Sequence, residues 1–304
     1  MKSTISTAVL LVSLLIAPFT VMAQEFRVET RKAVQYGTHD GTALIGDLYL
    51  PEGTGAYPAI VAVHGGGWQA ASRDLYQRMG PYLAARGYAV FSIDYRLTRD
   101  GKNTYPAAVH DVRAAVQWVR GHGAELRIAP ARIALMGDSA GAQLGALVAL
   151  AGDSPEYSNA YRDDPHASVS TKVKAVIGVY GIYDMIAQWE HDLIPRPTDN
   201  IAQIFMGFPP TQDRRAWYAA SPIAHATTAN NNTAFLLAHG TADEIVDPRQ
   251  TEIFLTALRQ ARFFVRIVIV PSAPHFWVSD PVEEPNSFSG FFAPRLLRFL
   301  AQRL

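Results

Sequence analysis

Two glycine-rich stretches and a small set of later acids and histidines hold the residues of this chain that could do acyl-transfer chemistry. Gly137-Asp138-Ser139-Ala140-Gly141 has G-x-S-x-G spacing. A β-type run, Arg132 to Met136, precedes it, and a small-residue helical run, Ala142 to Ala151, follows. A strand that turns sharply into a helix leaves a serine Oγ exposed above the sheet. The flanking glycines suit a turn with no room for a Cβ. The competing reading is a softened strand-to-helix turn whose serine caps the helix.

A serine attacking a carbonyl makes a negative oxygen that needs N–H donors already in place. His64-Gly65-Gly66-Gly67-Trp68 follows the apolar run Ala59 to Val63 and has the HGGG pattern that supplies them. The expected donors are the amides of Gly66, Gly67 and Ala140. The serine also needs a base, and the base an orienting acid. In this motif group the chain order is serine, acid, histidine. Of the histidines after Ser139 (His166, His191, His225, His239, His275), only His275 follows a strand-end acid late enough in the chain. It lies in Pro271-Ser272-Ala273-Pro274-His275-Phe276, past the apolar run Phe263 to Val270. Three carboxylates, Asp243, Glu244 and Asp247, follow the run Ala234 to Ala238. Asp243 is nearest the strand and is the assigned orienter. Glu244 is expected to point away, and Asp247 reads as an N-cap ahead of Pro248. His239 reads as a structural strand-end histidine.

With these stretches in place, the chain resembles an α/β-hydrolase of the carboxylesterase type. It is similar in pattern to the hormone-sensitive-lipase-like and BD-FAE (feruloyl and acetyl-xylan esterase-like) branches, from about Thr38 to the C-terminus. Supporting features are Asp94-Tyr95-Arg96-Leu97, Tyr105-Pro106-Ala107-Ala108 and His239-Gly240-Thr241-Ala242-Asp243. The resemblance implies Ser139 as nucleophile, His275 as acid/base, Asp243 as its orienter, and Gly66, Gly67 and Ala140 as oxyanion donors. One departure concerns the histidine loop, which carries Pro274 where the family often has glycine.

The elements that must position these residues follow from the hydrophobic pattern. An antiparallel start, Arg27 to Tyr36 and Ala43 to Leu50, turns at Asp40-Gly41. Buried-type strands then recur at 59–63, 89–94, 132–136, 173–180, 234–238 and 263–270, with helices near 76–86, 107–120, 142–151, 249–260 and 294–304. Continuous apolar strands mean a mostly parallel sheet covered by helices on both faces, with loops of interest at the strands' carboxyl ends. Residues 182–220 break the rhythm with four prolines and six aromatics. Such a connection is expected to be a cap over the site. Trp68, Trp189 and Trp217 are the expected pocket-lining aromatics.

Composition narrows the classes. Forty-nine per cent hydrophobic residues support one sizeable α/β domain. Twenty-seven basic and 27 acidic side chains balance, so nucleic-acid binding is not indicated. With no cysteine there is no disulfide frame and no thiol chemistry. Arg162-Asp163-Asp164-Pro165-His166 reads as a solvated loop, no metal site is expected, and no nucleotide motif implies a cofactor. Met1-Lys2, an apolar stretch over Ala8 to Ala17, and Val21-Met22-Ala23 form a signal-peptide pattern with cleavage expected after Ala23. Residues 24–304 would then be an exported catalytic domain, periplasmic or secreted, with no stable membrane insertion after cleavage. The expected activity is hydrolysis of small-acyl carboxylic esters, on a small molecule or a polysaccharide, through an acyl-enzyme. Two alternatives stand beside it: amide cleavage by a formamidase or small peptidase of the same fold, and a non-catalytic binding protein on that scaffold.

Overall fold

A computed structural model describes residues 25–304, so the expected signal segment lies outside the described residues. Eight strands form one sheet: β1 (Val28–His39), β2 (Thr42–Pro51), β3 (Tyr57–Val63), β4 (Ala89–Ile93), β5 (Ile128–Asp138), β6 (Ala175–Val179), β7 (Ala234–Gly240) and β8 (Val265–Val270). Their order is β1-β2-β4-β3-β5-β6-β7-β8. β1 and β2 are antiparallel, β2 meets β4 antiparallel, and every later pairing is parallel. The helices are α1 (Met79–Ala84), α2 (Ala107–Gly121), α3 (Ala140–Ala151), α4 (Pro155–Ser158), α5 (Met185–Asp192), α6 (Ile201–Met206), α7 (Arg214–Ala219), α8 (Arg249–Gln260) and α9 (Phe288–Arg303).

Burial follows strand position. β3, β4, β6 and β7 are buried at every residue, whereas the edge strand β8 alternates. Two apolar clusters cover the two faces, one built on Val61, Leu135 and Leu144, the other on Ile60, Met136, Ile177 and Leu296. This is the α/β layering that continuous Val/Ile/Leu runs require. Parallel pairing puts the ends of β3, β5, β7 and β8 on one edge, where they carry the glycine loop, Ser139, Asp243 and His275.

The terminal helix differs from the sequence expectation. It begins at Phe288, not Pro294, with Ser287 accepting the Gly290 N–H as its cap. Pro294 inside a helix removes one backbone hydrogen bond. Burial of Phe292, Leu296, Phe299 and Leu300 along one face outweighs that loss. Residues 182–220 fold as α5, α6, α7 and their connections, inserted between β6 and β7.

Candidate active site

Ser139 stands between β5 and α3 with φ 52° and ψ −122°, a strained conformation for a side chain bearing a Cβ. Close backbone packing holds it there. Its N–H donates to the Val179 carbonyl at 2.9 Å. A Cβ at Gly141 would run into the carbonyl oxygens of Val63 and His64, so only glycine lets α3 start this close to β3. Ser139 occupies the N-cap position of α3, yet its side chain makes no capping hydrogen bond. The hydroxyl is instead 3.0 Å from His275 Nε2.

His275 Nδ1 lies 2.7 Å from Asp243 Oδ2. The other carboxylate oxygen accepts the N–H groups of Ile245 and Val246, both at 3.0 Å. Burial pushes the Asp243 carboxyl upward, but hydrogen bonds from His239 and His275, the His275 charge and the Val246 N–H together bring it well below the usual carboxylate range. Asp243 is thus a fixed anion, able to hold one tautomer and one ring orientation of His275. His239, which the sequence suggested was structural, shares in this. Its Nε2 is 3.0 Å from the Val246 carbonyl and 3.3 Å from Asp243 Oδ2, and its Nδ1 is 2.7 Å from Thr251 Oγ1. Nothing in its residue type announced that second contact with Asp243.

Neither the Glu244 nor the Asp247 carboxylate hydrogen-bonds His275. Glu244 is exposed, and its carbonyl accepts from His191 at 3.2 Å. Asp247 accepts the Arg249 N–H at 2.9 Å at the start of α8 and pairs with the Arg249 guanidinium. The histidine loop is stitched to the acid loop despite Pro274: Ala242 N–H donates to the Ala273 carbonyl at 3.0 Å, and Ser272 N–H to Thr241 Oγ1 at 2.8 Å. The Tyr180 ring packs 4.3 Å from the His275 ring, and its hydroxyl accepts the Val278 N–H.

The glycine loop runs beside Ser139. Gly66 and Gly67 have φ of 99° and 59°. Among the described residues neither of their N–H groups meets an acceptor. His64 is fixed as a support: its Nδ1 bonds the Gly65 carbonyl at 2.7 Å, its ring stacks on Tyr95, and burial lowers its pKa. The loop is tied to the serine turn by Asp138, whose Oδ1 accepts the Gly65 N–H at 3.1 Å and the Tyr76 hydroxyl at 3.0 Å. Burial raises this carboxyl to about 7 against the opposing effect of those two donors. The x of G-x-S-x-G thus joins the two motifs, a role that spacing alone did not reveal.

The tryptophans need a correction. Trp68 and Trp217, expected to line a pocket, are 1% and 0% exposed and belong to the core. Trp68 Nε1 donates to Gln143 Oε1 at 3.0 Å, and Trp217 Nε1 to the Phe208 carbonyl at 3.2 Å. Each indole finds its polar partner inside the protein, which lets it be buried completely. Trp189 is half-buried and donates to Gln203 Oε1 at 3.0 Å, within residues 182–220. The polar signal was legible in retrospect: Gln143 is the one amide in the apolar run of α3. The Arg162–His166 stretch is also less free than expected, since the Asp164 carboxylate meets His39 Nε2 at 2.9 Å. Among the described residues no group of three or more His, Asp or Glu side chains could hold a metal ion.

A mostly parallel eight-strand sheet with a serine on a strained strand-to-helix turn, a histidine and an acid at later strand ends defines an α/β-hydrolase fold. Comparison with known proteins agrees. The model of the BD-FAE family matches residues 46–258, and the chain belongs to that family. Esterase LipC of Mycobacterium tuberculosis (strain ATCC 25618 / H37Rv) is 31% identical over 252 residues, 81% of this chain and 59% of LipC. Esterase LipQ of the same organism is 29% identical over 229 residues, 72% of this chain and 50% of LipQ. The chain spans about half the length of the curated relatives it matches. A thermophilic esterase from Thermogutta terrifontis, Est2, superposes with TM-score 0.69 at 24% identity, covering 92% of this chain and 93% of the other. A truncated carbohydrate esterase from gut microbiota superposes with TM-score 0.73 at 22% identity, covering 92% and 97%.

Proposed function

We propose that the chain is a serine carboxylesterase that works through an acyl-enzyme. The observation that carries this reading is the unbroken relay from Ser139 Oγ to His275 Nε2 at 3.0 Å and from His275 Nδ1 to Asp243 at 2.7 Å. His275 takes the hydroxyl proton as Ser139 Oγ bonds to the ester carbonyl carbon. The carbonyl oxygen becomes an anion facing the N–H groups of Gly66, Gly67 and Ala140. When the tetrahedral carbon collapses, His275 returns the proton to the departing alkoxide, leaving an acyl-serine. Water then attacks the acyl carbon as His275 takes its proton, and the second tetrahedral carbon collapses with that proton passed to Ser139 Oγ, releasing the acid and restoring the serine.

A small acyl group suits the surroundings. Ser139 is 5% exposed, so the hydroxyl is reached through a narrow opening. Phe276, 62% exposed with its ring edge-on to His275 at 4.5 Å, offers an apolar wall to the leaving group or the acyl chain. Residues 182–220 serve as the cap in this reading. Its helix α5 bonds the acid loop through Gln188 Nε2 to the Ile245 carbonyl, 3.2 Å. The names of LipC and LipQ as esterases favour ester over amide.

The test is hydrolysis of aryl esters from acetyl to octanoyl, with acetylated xylan, feruloylated xylan and a formanilide in parallel. Turnover greatest on acetyl to butyryl esters supports the reading; turnover on the formanilide alone replaces it with amide cleavage; none on any, with no fluorophosphonate labelling, leaves a binding protein. Export is the second part of the proposal, motivated by residues 1–23. N-terminal sequencing of the protein from the producing cells should begin at Gln24, and an intact Met1 in a cytosolic fraction would overturn it.

A further inference from the structure

Gly66, Gly67 and Trp68 are three successive residues with positive φ, at 99°, 59° and 60°. Glycine accepts such angles at little cost, but a bulky residue such as Trp68 holds one only where its surroundings over-determine it. Its backbone carbonyl accepts the Thr98 N–H at 2.8 Å. Its indole N–H goes to Gln143 on α3, the helix that starts at Ser139. Its ring lies flat on Phe205 of α6, centroids 4.4 Å apart and planes 11° apart.

The same helix touches the residue before Trp68. Ile201 Cγ2 lies 2.8 Å from where a Cβ on Gly67 would stand. Residues 201 and 205 are one turn apart and share a helix face. That single face therefore meets Gly67 and Trp68 in succession. α6 is short, and it is pinned at several points. Asn200 Oδ1 accepts the Gln203 N–H at 3.0 Å, and Asn200 Nδ2 donates to the Trp189 carbonyl at 2.9 Å. Gln203 Oε1 accepts from Trp189 Nε1, and the Phe205 carbonyl accepts the Tyr105 N–H at 2.8 Å. Gln143 closes the circuit by donating through Nε2 to the Ala220 carbonyl at the far end of the 182–220 segment.

We propose that α6 positions the oxyanion loop, with Phe205 and Ile201 as positioning residues acting through Trp68 and Gly67. The cap segment then controls turnover by holding the Gly66 and Gly67 N–H groups ready, in addition to any part it plays in fitting the acyl group. This rests on the esterase reading of Ser139. Preorganised donors lower the barrier because they need no rearrangement as the oxyanion forms, and losing one costs about 10²–10³ in kcat. Loosening two of them without removing either should cost less.

The experiment compares Phe205→Leu, Phe205→Tyr and Ile201→Ala with the parent enzyme on acetyl, butyryl and hexanoyl aryl esters. Affinity for an aryl trifluoromethyl ketone is measured alongside. In that adduct Ser139 Oγ bonds to the ketone carbon, the hydroxyl proton passes to His275, and the ketone oxygen becomes the oxyanion. Phe205→Leu should lower kcat and kcat/KM together by about tenfold or more on all three esters, with inhibitor affinity falling in parallel. Phe205→Tyr, which keeps the ring, should restore both. Ile201→Ala should give a smaller loss of the same kind. Unchanged kcat in Phe205→Leu, or a loss confined to KM and graded with acyl length, would overturn the proposal in favour of a pocket wall. Loss in Phe205→Leu that Phe205→Tyr fails to restore, in a Phe205→Tyr variant whose melting temperature matches the parent's, would also overturn it. A Ser139→Ala control separates the two readings: if that variant keeps its activity the esterase site itself is wrong, and if it is inactive while Phe205→Leu is normal only the role of α6 falls.

Discussion

His275 and His39 are both buried, and both hold Nδ1 against a buried aspartate: 2.7 Å to Asp243 and 2.6 Å to Asp111. They part at the far nitrogen. His275 presents Nε2 to the Ser139 hydroxyl at 3.0 Å, whereas His39 presents it to the Asp164 carboxylate at 2.9 Å. A ring between two carboxylates satisfies both only by donating from both nitrogens, which favours its protonated form. Burial pulls the His39 pKa down, but hydrogen bonds and charge from Asp111 and Asp164 raise it overall. Arg96 completes that cluster with bonds to both oxygens of Asp111 and contacts to Asp40 and Tyr161. Tyr161 stacks on His39 at 3.7 Å. The cluster clamps β1, α2, the segment after β4 and the 161–169 loop. A histidine–aspartate pair by itself therefore says little about catalysis. What stands at the second nitrogen decides whether the ring can accept a proton.

That contrast can be broken at either end. The largest effect should come from Ser139→Ala or His275→Ala, each lowering kcat by about 10⁴-fold or more because triad members act as a unit. Melting temperature should stay within a few degrees of the parent. A His275→Ala enzyme with near-normal kcat would remove His275 from the mechanism. Asp243→Asn should follow, with a loss of about 10⁴-fold from the wrong imidazole tautomer. Glu244→Gln and Asp247→Asn should each stay within about threefold, since neither carboxylate bonds His275; a crippled Asp247→Asn would move the orienting role to that residue.

His39→Gln should show the reverse pattern. Leaving Asp164 without this partner, and Asp111 with Arg96 alone, should cost about 1–3 kcal/mol in denaturant unfolding, while kcat of the folded fraction remains near parental. Activity loss exceeding the loss of folded protein would tie His39 to the reaction. The smallest effect is in pH dependence. A histidine whose folded pKa is raised contributes stability that is fully present below the unfolded value, about 6.5, and lost as pH rises through the folded value. Stability of the parent should thus decline above about pH 6.5, by at most roughly 1.4 kcal/mol per unit. His39→Gln should flatten that limb, and an equally steep decline in the variant would assign it to other groups.

Much of the positioning scaffold was legible because it rests on local pattern. Continuous apolar runs read as parallel strands in β3, β4, β6 and β7, and the Asp40-Gly41 turn joins β1 to β2 as expected. Ser139, Asp243 and His275 could be singled out because chain order and strand-end placement restrict the choice, and the structure brings those three within hydrogen-bond distance. The start of α9 was missed because a proline looks like a helix boundary, while the burial that carries the helix through it is a tertiary quantity.

The tryptophans mark the limit more sharply. Aromatic composition says that Trp68 and Trp217 must bury a large apolar surface and satisfy one N–H. It does not say whether a substrate or the protein supplies the surroundings. Gln143, Phe205 and the Phe208 carbonyl come from segments 9 to 137 residues away, and only folding puts them there. The same holds for Asp138 and Gly65, 73 residues apart, and for His239 beside Asp243. Residue type, spacing and hydrophobic period are local properties, so the sequence by itself singled out a serine, an acid, a histidine and a glycine loop, and determined on which strands they ride. Which buried histidine has a hydroxyl at its second nitrogen, and which aromatics pack against the glycine loop, depends on close contacts between distant segments, and the tertiary structure alone decided these.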